Sequence, residues 1–533
     1  MCGIYACFHH GNQPNEYKYE NIKNRGPDET NIIDDNDYKI VFHRLAIVGI
    51  KGGSQPFQIN NIQLICNGEI YNYRELEKKY NLINTTGSDC EVILHMYCLF
   101  GIEKTLNEIR GEFAFILVDK NINVVHFVRD PIGIKPLYIN SVIDEKTKKY
   151  NMLELSSIIR GFADKINNCE HVLPSYIYTY DINKRILSNQ KYVELKYTPN
   201  LFINKYNIYE RLENAIIRRI TQSERPLGFF LSGGIDSCTV LSIAMKSGLL
   251  KGTPHVFTFG FDKNAHDVKM AKIMVDWLKK KYGDNCLEWH CVIEPVETGL
   301  NILPEVINML ETYDTTTIRA STPMYILSKY IRDNTDVKVL LSGEGSDELF
   351  GGYLYNLYAP NEYAFRSEIL NALNNLYIYD VLRADRSTAE CGLEVRPPFL
   401  DIDLINTVLS CDELKSSKVT TKKLLRDTIK IFNILPDEIL NGRKEAFSDA
   451  VGLDWLDEIE KYANKQLNVY NIVENSNGLS QHNKPKGITE YYFQKIFSEL
   501  FPNKWYILPK IWMPNQSWVD TGGESSARVL PIY

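Results

Sequence analysis

Two adjacent glycines, Gly233 and Gly234, join an apolar run ending at Leu231 to a helical run that continues to Met245. A strand that passes through a glycine turn into a helix belongs to strand–helix alternation. The chain repeats that alternation with H-V-F-T-F-G-F from His255 and V-K-V-L-L-S-G from Val337, so a parallel sheet with crossover helices is expected from about Tyr209 onward. The turn itself, L-S-G-G-I-D-S at 231–237, suits an anion at a helix N-terminus. Gly233 and Gly234 let backbone amides approach closely, and Ser232 and Ser237 add hydroxyls. It lacks the Gly-Lys-Ser/Thr ending of a Walker loop. Asp236 repels a phosphate unless a cation lies between them, which makes it a candidate Mg²⁺ ligand.

The first part of the chain reads differently. Short runs alternate apolar and polar residues at K-I-V-F-H-R-L-A-I-V-G from Lys39, I-Q-L-I-C-N-G-E-I-Y-N from Ile62, G-E-F-A-F-I-L-V-D-K from Gly111 and N-V-V-H-F-V-R-D from Asn123. This period of two predicts strands. One helix is expected after Asp89, where Val92, Ile93, Met96, Tyr97 and Phe100 share a face and Ser88 or Asp89 caps the start. The expected fold is two domains: an antiparallel β-sandwich flanked by helices over 2–195, and a doubly wound parallel sheet with helices over 208–533. The break falls in the asparagine-rich stretch 197–207, and helical periodicity continues beyond Leu400.

A net charge of −7 supplies no field for nucleic acid or an anionic membrane. With 44% apolar residues, 533 residues can bury two sizeable cores. Eleven cysteines, an odd number without zinc-ribbon spacing, fit reduced thiols in the cytoplasm.

Cys2 is the second candidate site. Once Met1 is removed, its thiol and its own α-amine supply nucleophile and base in one residue, with ordinary pKa values of about 8.5 and about 7.7–8.0. A lone cysteine at position two means little. However, C-G-I at 2–4 is followed by R-G-P-D at 25–28, H-R-L-A-I-V at 43–48, N-G-E-I-Y-N at 67–72 and G-S-D-C-E at 87–91. In order and spacing these segments resemble the glutaminase domain of N-terminal-nucleophile amidotransferases. The resemblance implies that Arg44 to Val48 (Leu45, Ala46 and Ile47 between them), Asn67, Gly68, Glu69 and Asp89 bind glutamine. A guanidinium suits the α-carboxylate and a carboxylate the α-ammonium; Asn67 and Gly68 suit an oxyanion hole.

S-G-G-x-D-S resembles the signature of enzymes that split ATP into AMP and pyrophosphate, with Leu231 and Phe259 near the adenine. The segments E-T-Y-D-T-T-T-I-R-A-S-T-P-M-Y from Glu311 and L-S-G-E-G-S-D-E-L-F-G-G-Y from Leu341 narrow the resemblance. With both halves present, the chain resembles the glutamine-hydrolysing asparagine synthetases. The similarity continues through R-P-P-F-L-D at 396–401, K-K-L-L-R at 422–426, K-E-A-F-S-D at 444–449, W-M-P at 512–514 and S-S-A-R at 525–528.

This resemblance implies that Ser342 and Gly343 contact ATP, that Asp347 shares Mg²⁺ with Asp236, and that Glu344 serves formation of β-aspartyl-AMP. Thr316, Arg319 and Lys444 then stabilise charge at the α-phosphate. Isolated charges at Lys422 and Arg426 read as solvated helix residues, and Arg396 as a loop brace.

The implied substrates are glutamine, aspartate and ATP, with asparagine, glutamate, AMP and pyrophosphate as products, a sheltered passage for ammonia, and a homodimer. The alternatives are a related adenylating amide or β-lactam synthetase, and a catalytically silent glutamine-binding protein. Departures from the usual pattern fall at Ser157, Ser175 and Pro397.

Overall fold

The computed structural model describes residues 1–10, 14, 16–163, 168–415, 417–442, 451–452, 454–467 and 482–521. Two compact units emerge. The first comprises Met1–Leu195 with Gln222–Arg225 and Ala389–Glu394; the second comprises Lys196–Thr221, Pro226–Thr388 and Val395–Tyr533.

In the first unit, strands β1 (Gly3–His9), β2 (Glu29–Asp34), β3 (Tyr38–Arg44), β4 (Phe57–Ile59), β5 (Ile62–Ile70), β6 (Gly111–Asp119), β7 (Val124–Arg129), β8 (Tyr138–Ile143), β9 (Tyr150–Ser156), β10 (Asn168–His171), β11 (Tyr176–Asp181) and β12 (Ile186–Lys191) form two six-stranded sheets. Their orders are β10-β8-β9-β1-β3-β2 and β12-β11-β7-β6-β5-β4. The period-two pattern explains the layers. Ile4, Ala6 and Phe8 of β1 share a core with Ile65 of β5 and Ala114, Ile116 and Val118 of β6. The alternate residues Leu64, Cys66, Phe113, Phe115 and Leu117 face away, onto Val92, Ile93, Met96 and Tyr97 of helix α1 (Glu91–Glu108). The sandwich therefore has a helix on its outer face, as its sequence requires.

The expected cap of that helix differs. Its N-cap is Cys90, with no side-chain capping bond. Asp89 instead turns its Oδ2 to the Ile70 amide at 2.5 Å, an anchor on the end of β5.

The second unit holds a five-stranded sheet ordered β15-β14-β13-β16-β17, formed from β13 (Leu227–Phe230), β14 (His255–Gly260), β15 (Glu288–Ile293), β16 (Val339–Leu341) and β17 (Glu394–Arg396). The β13–β14, β14–β15 and β13–β16 pairs are parallel. The order runs outward both ways from β13 and β16, so a doubly wound sheet switches direction between them. In such sheets ligands bind at the carboxyl ends of the strands flanking that switch. Helices α2 (Lys205–Thr221), α3 (Ile235–Ser247), α4 (His266–Tyr282), α5 (Thr315–Asn334), α6 (Ser346–Phe350), α7 (Asp380–Ala389) and α8 (Lys423–Phe432) belong to this unit. Among the described residues, no helix is long and apolar enough to cross a membrane.

Candidate active sites

In the first unit, β-sheet register brings distant motifs together. Cys2 immediately precedes β1, and Gly3 pairs with His43 near the end of β3. The Cys2 thiol therefore lies against the backbone after β3: the Leu45 amide donates to Sγ at 3.4 Å. The Cys2 nitrogen donates to Asn67 Oδ1 at 2.9 Å. The other end of that amide, Asn67 Nδ2, is buried and has no hydrogen-bond partner among the described residues. A donor aimed into a site and left unmatched is suited to an oxyanion. Gly68 is required sterically, since a Cβ there would lie 2.2 Å from the Glu112 carbonyl oxygen.

Burial raises the thiol to about 11, against lesser opposing effects from the terminal ammonium and the Leu45 backbone hydrogen bond. Burial also lowers the Met1 amine to about 6. The buried pocket thus disfavours both charged forms, leaving a protonated thiol near a neutral amine at neutral pH.

The Arg25–Asp28 motif, to which the sequence assigned no role, fixes this pocket. Arg25 Nε donates to the Cys2 carbonyl at 3.2 Å, and Asp28 Oδ2 accepts from the Ala46 amide at 2.8 Å. Arg44 is buried and donates to the Gly49 and Ile50 carbonyls at 2.6 and 3.2 Å, and to Glu29 at 3.4 Å. Its fork thus organises the loop that follows Leu45, Ala46, Ile47 and Val48. Glu69 on β5 and Asp89, which precedes the Cys90 cap of α1 and is tied to the Ile70 amide, are both buried. Ser157 and Ser175 lie apart from these contacts. The Ser157 hydroxyl accepts from the Ile4 amide at 3.0 Å. Ser175 adopts φ 67° while donating to the Pro131 carbonyl at 3.0 Å.

In the second unit, one cleft collects the remaining predicted residues. Leu231, Ser232, Gly233, Gly234, Asp236, Ser237, Phe259, Thr316, Arg319, Ser342, Gly343, Glu344 and Asp347 all line it. The loops after β13 and β16 form its floor, as the switch point demands. Gly233 has φ 79°, and a Cβ would stand 2.4 Å from the Met270 Cβ. Gly234 caps α3 without a side chain, which leaves the amides of the first turn open to an anion. A Cβ on Gly343 would meet the Asp236 Cβ at 2.7 Å, so this glycine lets the two loops meet. Asp314 places Thr316 and Arg319: its Oδ1 caps α5 by accepting from the Thr317 amide at 2.8 Å, and its Oδ2 accepts from the Trp512 amide at 2.7 Å.

Two expectations need correction. Lys422 and Arg426 are not solvated helix charges. The Lys422 ammonium is buried between two carboxylates, hydrogen-bonded to Asp236 and 2.9 Å from Asp347 Oδ1. Its backbone adopts the left-handed region, φ 52°, a costly conformation held by its surroundings. Arg426 borders the same cleft and donates to the Thr421 and Gly442 carbonyls at 3.0 Å each. The sequence could not reveal these roles, because a lysine's partners depend on two loops far from it in the chain. Arg396 braces as expected, donating to the Arg219 carbonyl at 2.8 Å. Lys444 lies outside the described residues.

The cleft also holds a bridge that the sequence reading missed. Arg383 donates to Glu344 Oε2 at 2.7 Å and pairs with Asp380 Oδ1 at 2.8 Å. Burial raises the Glu344 carboxyl above its ordinary value, with Asp380 adding to the rise and Arg383 opposing it. Glu348, buried beside Tyr353, is raised further, by burial first and then by Asp380 and Asp347.

Gly352 permits the Lys422 cluster. A Cβ there would lie 1.9 Å from Asp347 Oδ1 and 2.1 Å from Lys422 Cε. Gly352→Ala is therefore expected to part Lys422 from Asp347 and to lower any nucleotide-dependent activity of this cleft at least tenfold, about 1.4 kcal/mol. Activity at the Cys2 site in the first unit should be preserved; kinetics at both sites on one preparation check this.

Comparisons with known proteins agree with this division. The model of the glutamine amidotransferase domain matches residues 1–195, and that of asparagine synthase matches 207–364 and 358–506. The chain is 35% identical to the probable glutamine-hydrolysing asparagine synthetase of Acanthamoeba polyphaga mimivirus, over 100% of both chains. It is 34% identical to that of Gallus gallus, over 100% of this chain and 99% of the other. With asparagine synthetase 1 of Arabidopsis thaliana the identity is 35%, over 90% of this chain and 82% of the relative. Two catalytic-type sites on one chain, matched from end to end by such relatives, show that the chain belongs to the family of glutamine-hydrolysing asparagine synthetases.

Proposed function

We propose that the protein makes L-asparagine from L-aspartate, using ammonia released from L-glutamine and splitting ATP into AMP and pyrophosphate. The observation that carries this reading is the cleft at the sheet's switch point, where the S-G-G-I-D-S turn, Glu344, Thr316 and Arg319 converge. Residues 2–195 form the glutaminase domain in this reading and 208–533 the synthetase domain.

In the first site, the α-amine freed by loss of Met1 takes the Cys2 thiol proton, and the sulfur attacks the side-chain carbonyl carbon of glutamine. Asn67 Nδ2 and the Gly68 amide receive the oxyanion. The tetrahedral adduct collapses with protonation of its nitrogen, releasing ammonia and leaving a thioester, which water hydrolyses to glutamate. Arg44 and Asp89 hold the α-carboxylate and α-ammonium, with Glu69 and the Leu45 to Val48 backbone completing the pocket. Arg44→Lys keeps the charge but loses the fork that spans Gly49, Ile50 and Glu29. The expected result is a glutamine KM raised about ten- to a hundredfold, at about 1.4 kcal/mol per decade. An unchanged ammonia KM on the same preparation distinguishes this from general unfolding.

In the second site, an aspartate β-carboxylate oxygen attacks the α-phosphorus, pyrophosphate leaves, and ammonia then displaces AMP from the β-aspartyl-AMP. Thr316, Arg319 and Lys444 offset charge on the α-phosphate, and Leu231 and Phe259 border the adenine. Among the described residues, seven carboxylates and four lysine or arginine side chains line the cleft, a lining that a divalent cation complements when phosphates enter. Asp236 and Asp347, already converging on one ammonium, are oxygen donors that fit Mg²⁺. When bound, Mg²⁺ supplies neutralisation of the phosphate charge; Lys422 holds the two carboxylates together.

The reading extends to a cytoplasmic homodimer. All eleven cysteines are free thiols, which supports a reducing compartment; the homodimer rests on the family resemblance. The test supplies aspartate labelled with ¹⁸O in its β-carboxylate, with ATP, Mg²⁺ and glutamine. Adenylation transfers one ¹⁸O to AMP; unlabelled AMP, or ADP in its place, refutes the reading.

A further inference from the structure

A second cluster lies at the opposite end of the same sheet. His255 and Glu288 open β14 and β15 and are register partners, and His290 follows two residues along β15. In a parallel pair, this register puts all three side chains on one face. Their ligand atoms converge: His255 Nδ1 is 3.0 Å from His290 Nε2 and 3.4 Å from Glu288 Oε2, while His290 Nε2 is 3.2 Å from Glu288 Oε1. A tetrahedral ion with bonds of about 2.0–2.1 Å has its ligands about 3.3–3.4 Å apart. The two imidazole nitrogens and the two oxygens of the Glu288 carboxylate, one facing each histidine, are thus separated by distances near an edge of that tetrahedron, and one ligand atom from each residue lies within 4.8 Å of the other two.

We propose that His255, Glu288 and His290 bind a borderline divalent transition-metal ion of the Zn²⁺ class, with water as the fourth ligand. Two imidazoles and a carboxylate favour such an ion over Mg²⁺, which prefers oxygen donors in an octahedron. Tyr330 of α5 supplies the supporting contact expected of a ligating histidine: its hydroxyl is 3.3 Å from His290 Nδ1, the nitrogen that faces away from the cluster. Glu288, its side chain 57% exposed, leaves the open position on the solvent side. β15 is the edge strand of the sheet, so the ion clips the edge to β14. The nucleotide cleft gathers after the other ends of the strands, and the cluster belongs to no part of the proposed chemistry.

The experiment titrates chelator-stripped full-length protein with ZnCl₂ by calorimetry in millimolar Mg²⁺. The ion is then located by anomalous diffraction at the zinc edge. One equivalent should bind at the cluster and raise Tm, and Mg²⁺ alone should not reproduce the rise. Glu288→Gln should weaken binding at least ~10-fold and His290→Ala at least ~100-fold, since even supporting contacts are worth 10–100-fold. Cys291→Ser, on the other face of β15, should leave binding intact. Should His290→Ala not fold, the exposed Glu288→Gln carries the test. Equal binding in Glu288→Gln, or an ion found only on cysteine thiolates, overturns the proposal and leaves a hydrogen-bonded histidine pair.

Discussion

Cys2→Ala is expected to abolish glutamine-dependent asparagine formation and leave ammonia-dependent formation at its original rate. The thiol is the nucleophile assigned to glutamine, and loss of a nucleophile costs up to ~10⁶ in kcat. Its contacts, the Leu45 amide at 3.4 Å and Asn67 Oδ1 at 2.9 Å from its nitrogen, serve no part of the nucleotide cleft. A pH profile of glutaminase activity adds a second check. The base acts only when neutral, and in the chain bearing Met1 burial lowers the amine to about 6. After Met1 is lost the amine belongs to Cys2, against the same buried Asn67. Burial that lowers this amine keeps it neutral below its ordinary range of about 7.7–8.0, so activity should persist at neutral pH and fall only at more acid pH, where the amine is protonated. Glutaminase activity surviving in Cys2→Ala would refute the nucleophile.

Lys422→Met should produce the converse defect: loss of asparagine synthesis with either nitrogen source, and retained glutaminase. The substitution keeps most of the stem but leaves Asp236 and Asp347 facing each other without the ammonium now 2.9 Å from Asp347. Breaking a buried pair in this way costs about 3–5 kcal/mol. Side-chain exposures of 17% and 19% at the two aspartates place the loss at the lower end. Misplaced carboxylates in turn misplace the phosphates, and removal of one preorganised electrostatic contact costs about 10²–10³ in kcat. AMP formation with ammonia, glutaminase activity and thermal unfolding measured together separate this from collapse of the whole chain. Synthesis at the original rate would reduce Lys422 to a packing residue.

The sequence made legible those parts whose causes are local. Alternation over Ile62 to Ile70 and Gly111 to Asp119 is a direct consequence of one strand facing two layers, and both strands form. The turn at 231–237 needs glycines because Met270 crowds Gly233 and the strand leads directly into a helix. Long-range charge pairing left no such trace. Lys422 sits two residues before Leu424 in a helix-like pattern, and only the fold shows that the chain reaches Asp236, 186 residues away. Arg383 and Asp380 stayed hidden for the same reason, within an ordinary amphipathic stretch. Asp89 was misread as a cap because acidic residues favour helix starts, whereas here the end of β5 holds its carboxylate. His255 and His290 carry no motif at all; parallel register alone brings them together.

The central claim is that one chain passes nitrogen from glutamine to activated aspartate. It is tested most directly by supplying [amide-¹⁵N]glutamine with aspartate, ATP and Mg²⁺, with unlabelled ammonium held below its own KM, and reading the asparagine amide by mass spectrometry. The account predicts asparagine carrying ¹⁵N, one AMP per asparagine, and no asparagine from the same mixture with Cys2→Ala. Unlabelled asparagine, or labelled asparagine formed by Cys2→Ala, would contradict it.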